Sequence, residues 1–222
     1  MIQYIYGDIH NVIKDIENNT IDLLYTNPPF GITDALWDKP LDWDKLWIDI
    51  WRVMKPRGIV VLHCSMPFTY TLIKSQRPRY HYHLNKSNKT GFLFSKKQPL
   101  RNNEEVLIYY KKAGTYNPQL VGNKERKISG CSNKRGNNYY DGLYTKLAQK
   151  KVIGYQPTTT IYNKLNKRGG RSISDDIITY FIKTYSNEGD TILDMCCHNK
   201  VVGNIIKPLN RNYIGIDIEQ VQ

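Results

Sequence analysis

Apolar residues in this chain fall into short β-rich runs separated by stretches in which they recur at helical spacing. Ile2-Gln3-Tyr4-Ile5-Tyr6-Gly7-Asp8 reads as a strand ending in Gly-Asp, and Ile9, Val12, Ile13 and Ile16 mark an amphipathic helix after it. Ile21 to Tyr25 predicts a buried strand. A helix follows through Leu41, Leu46, Ile50, Val53 and Met54, with Trp43, Trp47 and Trp51 alongside, and Lys55-Pro56-Arg57-Gly58 stops it. Ile59 to Cys64 is the next buried strand, so the first 64 residues predict strand, helix, strand, helix, strand, an α/β pattern of the doubly wound kind. Beyond residue 70, Tyr80 to Asn85 and Glu105 to Tyr110 predict paired strands at the sheet edge. Residues 113 to 170 show no clear period. Regularity resumes where Ser172 or Ser174 can cap a helix with Asp175 and Asp176 in its first turn and Ile177, Ile178, Phe181 and Ile182 on its apolar face. Thr191 to Asp194 and Asn212 to Asp217 are two final strands, joined by a helix through Val201, Val202, Ile205 and Ile206.

The chemistry is concentrated just after the second strand, in Asn27-Pro28-Pro29-Phe30. The Asn side-chain oxygen and the Pro28 carbonyl can each accept a hydrogen bond from an exocyclic NH2, the prolines stiffen the backbone, and Phe30 offers a stacking face. This is a receptor for a planar amine. A proline-rich turn closing a strand is the plainer reading of the same residues.

At 222 residues and 40% hydrophobic, the chain is large enough for one compact domain with its own core. No signal peptide and no long apolar run is present, and four cysteines fit a reducing interior. The expected location is therefore cytoplasmic or otherwise intracellular, without a membrane span. Cys196-Cys197-His198 lacks zinc-ligand spacing, so no metal is expected. The formal charge of +12 is unevenly placed: residues 74 to 171 hold 22 Lys/Arg against four acids, whereas the remainder holds 10 basic and 16 acidic residues. That segment also carries many Tyr and Phe residues, and cations interleaved with aromatics suit a phosphate backbone and unstacked bases.

Taken in order, Tyr6-Gly7-Asp8, Asp22 to Phe30, Trp51 to Gly58, Thr90 to Arg101, Tyr180 to Asp194 and Tyr213 to Asp217 resemble the β-group of S-adenosylmethionine-dependent DNA amino-methyltransferases, most of all adenine-N6-specific enzymes of phages and other viruses. The resemblance implies a Rossmann-like methyltransferase fold with a seven-stranded, mostly parallel sheet, circularly permuted so that the catalytic half precedes the cofactor half. It divides the chain into a catalytic half (1–112), a basic target-recognition insertion (113–171) and a cofactor-binding half of the same domain (172–222). It implies that Asn27, Pro28, Pro29 and Phe30 are catalytic, and that Asp217 holds the cofactor ribose. Asp8 would lie near the cofactor adenine, Asp194, Met195 and Cys196 would border its methionine end, and Ser172 would hold its carboxylate. Lys96, Lys97 and Arg101 would clamp double-stranded DNA, with the target base flipped out of the helix. A homodimer and a cognate restriction endonuclease are further partners that the resemblance admits.

Two features depart from the pattern. Where such enzymes carry Asp-Pro-Phe-x-Gly-x-Gly, this chain has Asp194-Met195-Cys196-Cys197-His198-Asn199-Lys200, with both glycines replaced; and Gly169 to Ile173 stands where relatives often carry His-Pro-Thr-Gln-Lys-Pro. Two alternatives therefore stand beside adenine methylation: a methyltransferase-fold DNA-binding protein with impaired catalysis, and a cytosine-N4 DNA methyltransferase.

Overall fold

A computed structural model of the chain describes residues 1–128, 150–163, 173–198 and 200–218. Residues 1–117 and 159–222 form one compact unit, and residues 118–158 a second.

The larger unit opens with β1 (Ile2–Tyr6), α1 (Ile9–Val12), β2 (Ile21–Thr26), α2 (Trp43–Val53), β3 (Met54–Cys64), α3 (Phe68–Ser75), β4 (Tyr80–Thr90) and β5 (Arg101–Tyr109). In the smaller unit β6 (Val121–Ile128) pairs antiparallel with β7 (Lys150–Tyr155). The larger unit then resumes with β8 (Thr160–Asn163), α4 (Asp175–Tyr185), β9 (Thr191–Asp194), α5 (Val201–Ile206) and β10 (Asn212–Asp217). Its sheet has the order β1-β10-β9-β2-β3-β5-β4-β8. The five strands from β1 to β3 run parallel, β5 is antiparallel to β3 and to β4, and β8 is parallel to β4.

Side-chain alternation on the central strands explains why they read as unbroken apolar runs: both faces are covered. Leu24, Val60, Leu62, Leu107, Leu193 and Ile216 face a cluster with Ile9 and Ile13, Leu46, Trp47 and Ile50 of α2, and Phe68 and Leu72 of α3. Their neighbours Leu23, Tyr25, Ile59, Val61, Val106, Ile108 and Ile192 face the opposite way, onto Ile177, Ile178, Phe181 and Ile182 of α4 and Ile206 of α5.

All seven expected strands are present, and β9 and β10 lie centrally beside β2, the permuted order that the resemblance implies. An eighth strand, β8, joins the edge at β4. Three boundaries also differ from expectation. α2 does end before Lys55, at Val53, but Lys55 to Gly58 is extended as part of β3 and not a separate turn, with a register shift between Ile21 and Leu23 alongside. The first helix is α-helical only over Ile9–Val12 and tightens to a 3-10 turn over Ile13–Asp15. β4 and β5 extend past their apolar cores to Thr90 and Arg101. Among the described residues, no helix is long and apolar enough to cross a membrane.

Candidate active site

Because β1, β10, β9 and β2 are parallel neighbours, their C-terminal ends open onto one edge of the sheet, the usual ligand crevice of an open α/β fold. Four strands at about 4.8 Å spacing put Asp8 and Asn27 on either side of a crevice about 15 Å wide, with Asp217 and Asp194 between them. A groove of about 610 Å³ lined by Met1, Tyr4, Lys200, Asn204, Lys207 and Asn212 lies toward the opposite edge, where Ile2 and Asn212 begin their strands.

Asn27 is exposed directly after β2, Pro28 is buried, and Pro29 and Phe30 are half-buried. The Phe30 ring stacks on Phe68, with centroids 5.3 Å apart and planes at 20°, so one aromatic face is already braced by α3. The chain leaves the motif through Gly31 at φ +65°, where an added Cβ would meet Pro40 Cγ at 2.4 Å. Only glycine fits there. The next residues are gathered by Asp38, whose carboxylate accepts hydrogen bonds from the amides of Gly31 (2.7 Å), Ile32 (3.0 Å) and Thr33 (2.8 Å) and from the Thr33 hydroxyl (2.7 Å). Burial alone would raise the Asp38 pKa, but these hydrogen bonds outweigh it and hold the carboxyl below its ordinary value.

Asp194 ends β9 almost fully buried. Its carboxylate accepts from the Cys196 amide and the Tyr213 hydroxyl, each at 3.2 Å. Burial, with a smaller push from Asp217, raises its pKa to about 6 despite those hydrogen bonds. Asp217 ends β10 partly exposed and accepts the His198 amide at 2.6 Å. Asp8 caps α1 by accepting the His10 amide at 2.8 Å. The Met195 side chain is buried in the core beneath α1 and α2, Cys196 packs half-buried at the margin of the same cluster, and burial pushes the Cys196 thiol up. Ser172 lies outside the described residues. Ser174 is the N-cap residue of α4 but makes no side-chain capping bond; its own amide donates to Asn163 Oδ1 on β8 at 3.2 Å.

The model of the N6/N4 DNA methylase family matches residues 21–222. The chain belongs to this family. It is 24% identical to the Type II methyltransferase M.HpaI of Haemophilus parainfluenzae over 94% of this chain and 67% of that protein. It is 25% identical to the Type II methyltransferase M.BamHI of Bacillus amyloliquefaciens over 96% of this chain and 53% of that protein. The chain thus spans about two thirds of the first relative and about half of the second. Its fold matches the M1.HpyAVI–SAM complex with a TM-score of 0.61 at 20% identity, covering 99% and 94% of the two chains. It matches the cytosine-N4-specific PvuII DNA methyltransferase with a TM-score of 0.67 at 11% identity, covering 98% and 82%.

The N6/N4 methylase resemblance places glycines at positions 198 and 200, and the structure shows what their replacement does to this member. His198 has φ +42° and Lys200 φ +38°, so both residues adopt the left-handed backbone although each carries a Cβ. Such a conformation costs a non-glycine residue about 1–2 kcal/mol, against about 0.5–1 kcal/mol of extra chain entropy for glycine. His198→Gly with Lys200→Gly is therefore expected to raise the melting temperature by about 2–4 °C for about 1 kcal/mol of net gain, as read by thermal denaturation. It should also tighten cofactor binding.

Lys96 and Lys97 are exposed between β4 and β5 and Arg101 is exposed as the first residue of β5, all on the edge that carries Asn27. Arg101 Nη1 reaches the Met66 carbonyl, just past β3, at 3.5 Å. Behind this edge lies polar machinery that sequence reasoning missed. Tyr25 hydroxyl and His63 Nε2 are 2.9 Å apart and fully buried, and burial, aided by Lys86, lowers the His63 pKa to about 3. Lys86 on β4 and Glu104 on β5 form an ion pair with side chains only 7% and 8% exposed.

Proposed function

We propose that this protein transfers a methyl group from S-adenosylmethionine to the exocyclic N6 of adenine in double-stranded DNA. The observation that carries the reading is the strand order, which sets the Asn27 corner next to the ends of β9 and β10. S-adenosylmethionine is the cofactor of this family, and the residues at the crevice fit it. Asp217 is a carboxylate suited to vicinal ribose hydroxyls, Asp8 flanks the adenine end, and Asp194, Met195 and Cys196 border the methionine end; Ser172, outside the described residues, is assigned the cofactor carboxylate from the sequence alone. Bound there, the cofactor supplies a methyl carbon made electrophilic by its sulfonium.

The rest is orientation. Asn27 Oδ1 and the Pro28 carbonyl accept hydrogen bonds from the two N–H groups of the amine, which turns the nitrogen lone pair toward the crevice. Phe30, braced from behind by Phe68, stacks on the flipped base. Lys96, Lys97 and Arg101 hold phosphates. Asn at position 27 keeps the acceptor oxygen, and the cytosine-N4 enzymes that the motif resembles more often carry Ser there, so adenine leads.

Incubating the protein with labelled cofactor and mixed-sequence duplex DNA, followed by nucleoside analysis, tests the assignment. Label in N6-methyladenine is expected. Label in N4-methylcytosine would move the substrate to cytosine, and no label with cofactor binding intact would favour the DNA-binding protein without catalysis.

Asp194 gives the reaction a pH signature. Its folded pKa, about 6, lies above the ordinary Asp value of about 3.9. The carboxyl is therefore protonated below pH 6, and a ligand carrying ammonium and sulfonium charges favours the ionised form. Cofactor affinity is expected to rise by up to about tenfold per unit as pH increases toward 6, and to flatten above 7. Calorimetry across pH 5 to 8 reads this directly, and Asp194→Asn should flatten the profile.

A further inference from the structure

The loop between the Asn27 motif and α2 places its apolar residues the wrong way round for a simple connection. The Asp38 amide donates to the Ala35 carbonyl at 3.0 Å, closing a tight turn whose two corner residues are Leu36 and Trp37. Turn corners favour Gly, Asn, Asp and Pro, yet here they carry two large apolar side chains that are 88% and 72% exposed. The other tryptophans differ: Trp43 and Trp47 are buried in the core, and Trp51 is half-buried against Trp47.

The turn is also held firmly. Asp38, only 6% exposed, ends it and ties its base through four hydrogen bonds to Gly31, Ile32 and Thr33, the residues that directly follow Phe30. A rigid base, a two-residue apolar tip and direct continuity with the amine receptor are properties of an inserting wedge rather than of a solvated connection. The same sheet edge carries Lys96, Lys97 and Arg101, which supply the charge complementary to a phosphate backbone.

We propose that Trp37, with Leu36 beside it, enters the DNA base stack next to the target nucleotide and fills the space the flipped base leaves. The inference rests on the DNA-methylation reading above and adds the group that stabilises the flipped state. Unstacking a base costs a few kcal/mol, and proteins that kink or open DNA commonly meet that cost by inserting an apolar side chain. A wedge matters only when the target starts out paired. Trp37 therefore acts as a positioning residue, and its removal should penalise duplex far more than single-stranded substrate.

The experiment has two arms. In the first, mixed-sequence duplex DNA is titrated into the cofactor-loaded protein while tryptophan emission is followed. Trp37 is the most exposed tryptophan, so DNA should quench the long-wavelength emission of the wild type, and Trp37→Phe should lose that quench. In the second, methyl transfer to duplex DNA is compared with transfer to the same DNA denatured to single strands. Trp37→Ala should lower the duplex-to-single-strand ratio of kcat/KM at least about tenfold, and Trp37→Phe should restore most of it. Equal quenching in wild type and Trp37→Phe, or equal loss on both substrates in Trp37→Ala, would overturn the wedge. If the wild type transfers no methyl to either substrate, the methylation reading has failed, and the quenching arm alone decides whether Trp37 reaches DNA.

Discussion

Asn27→Ala is expected to reduce methyl transfer to DNA by about 10²–10³-fold while leaving binding of S-adenosylmethionine within a factor of about two. Single groups that orient or polarise the reacting atoms are worth about 10²–10³ in rate. Asn27 supplies one of the two oxygens assigned to the amine, and it sits exposed past the end of β2 rather than inside the fold. The variant should therefore melt like the wild type. Asn27→Asp, which keeps an acceptor oxygen at the same position, should retain far more activity than Asn27→Ala. Labelled transfer with cofactor titration in parallel separates the outcomes. Undiminished transfer in Asn27→Ala would remove the motif from catalysis.

Lys86→Met is expected to be strongly destabilising. Lys86 and Glu104 are both nearly inaccessible to water, so the substitution strands a carboxylate that burial already drives toward a raised pKa. Glu104 Oε2 has no hydrogen-bond partner among the described residues to compensate it. Removing one member of a buried pair costs about 3–5 kcal/mol, or a fall of about 10 °C in melting temperature for a chain of this size. In the variant the folded pKa of Glu104, already raised by burial, rises further above its unfolded value of about 4.3 because the lowering effect of Lys86 is lost. The penalty is thus full at neutral pH and shrinks as pH falls through the folded pKa toward the unfolded one. Wild type and variant should melt closer together at pH 5 than at pH 7.5. Lys86→Met with Glu104→Leu should recover most of the loss, since a matched apolar pair is often as stable as the ion pair it replaces. A pH-independent difference would mean that lost packing, and not a stranded charge, sets the cost.

What the sequence displayed and what it hid divide along physical lines. Strands buried on both faces, such as Ile21–Thr26 and the Ile59–Cys64 part of β3, announce themselves as continuous apolar runs, and Asn27 follows from where such a run stops. β8 gave no such signal. Of Thr160–Asn163 only Asn163 is buried, and the strand exists because β4 offers a parallel edge and because the Asn163 side chain receives the amide that starts α4. The Asp38 clamp was equally invisible, since it depends on a carboxylate reaching back five to seven residues to amides with no pattern of their own. The replaced glycines were legible as a departure, but the left-handed backbone adopted at His198 and Lys200 was not. That backbone bears directly on whether the crevice still accepts its cofactor.

Calorimetric titration with S-adenosylmethionine, run on the wild type and on Asp217→Ala, tests the crevice most directly. The strand order predicts one saturable site in the wild type and a loss of at least about tenfold in affinity in Asp217→Ala, because a charge-assisted pair of hydrogen bonds is worth at least about 1.5 kcal/mol. No saturable heat in the wild type, or equal affinity in the two proteins, would contradict a cofactor lying across the ends of β9 and β10 beside Asn27.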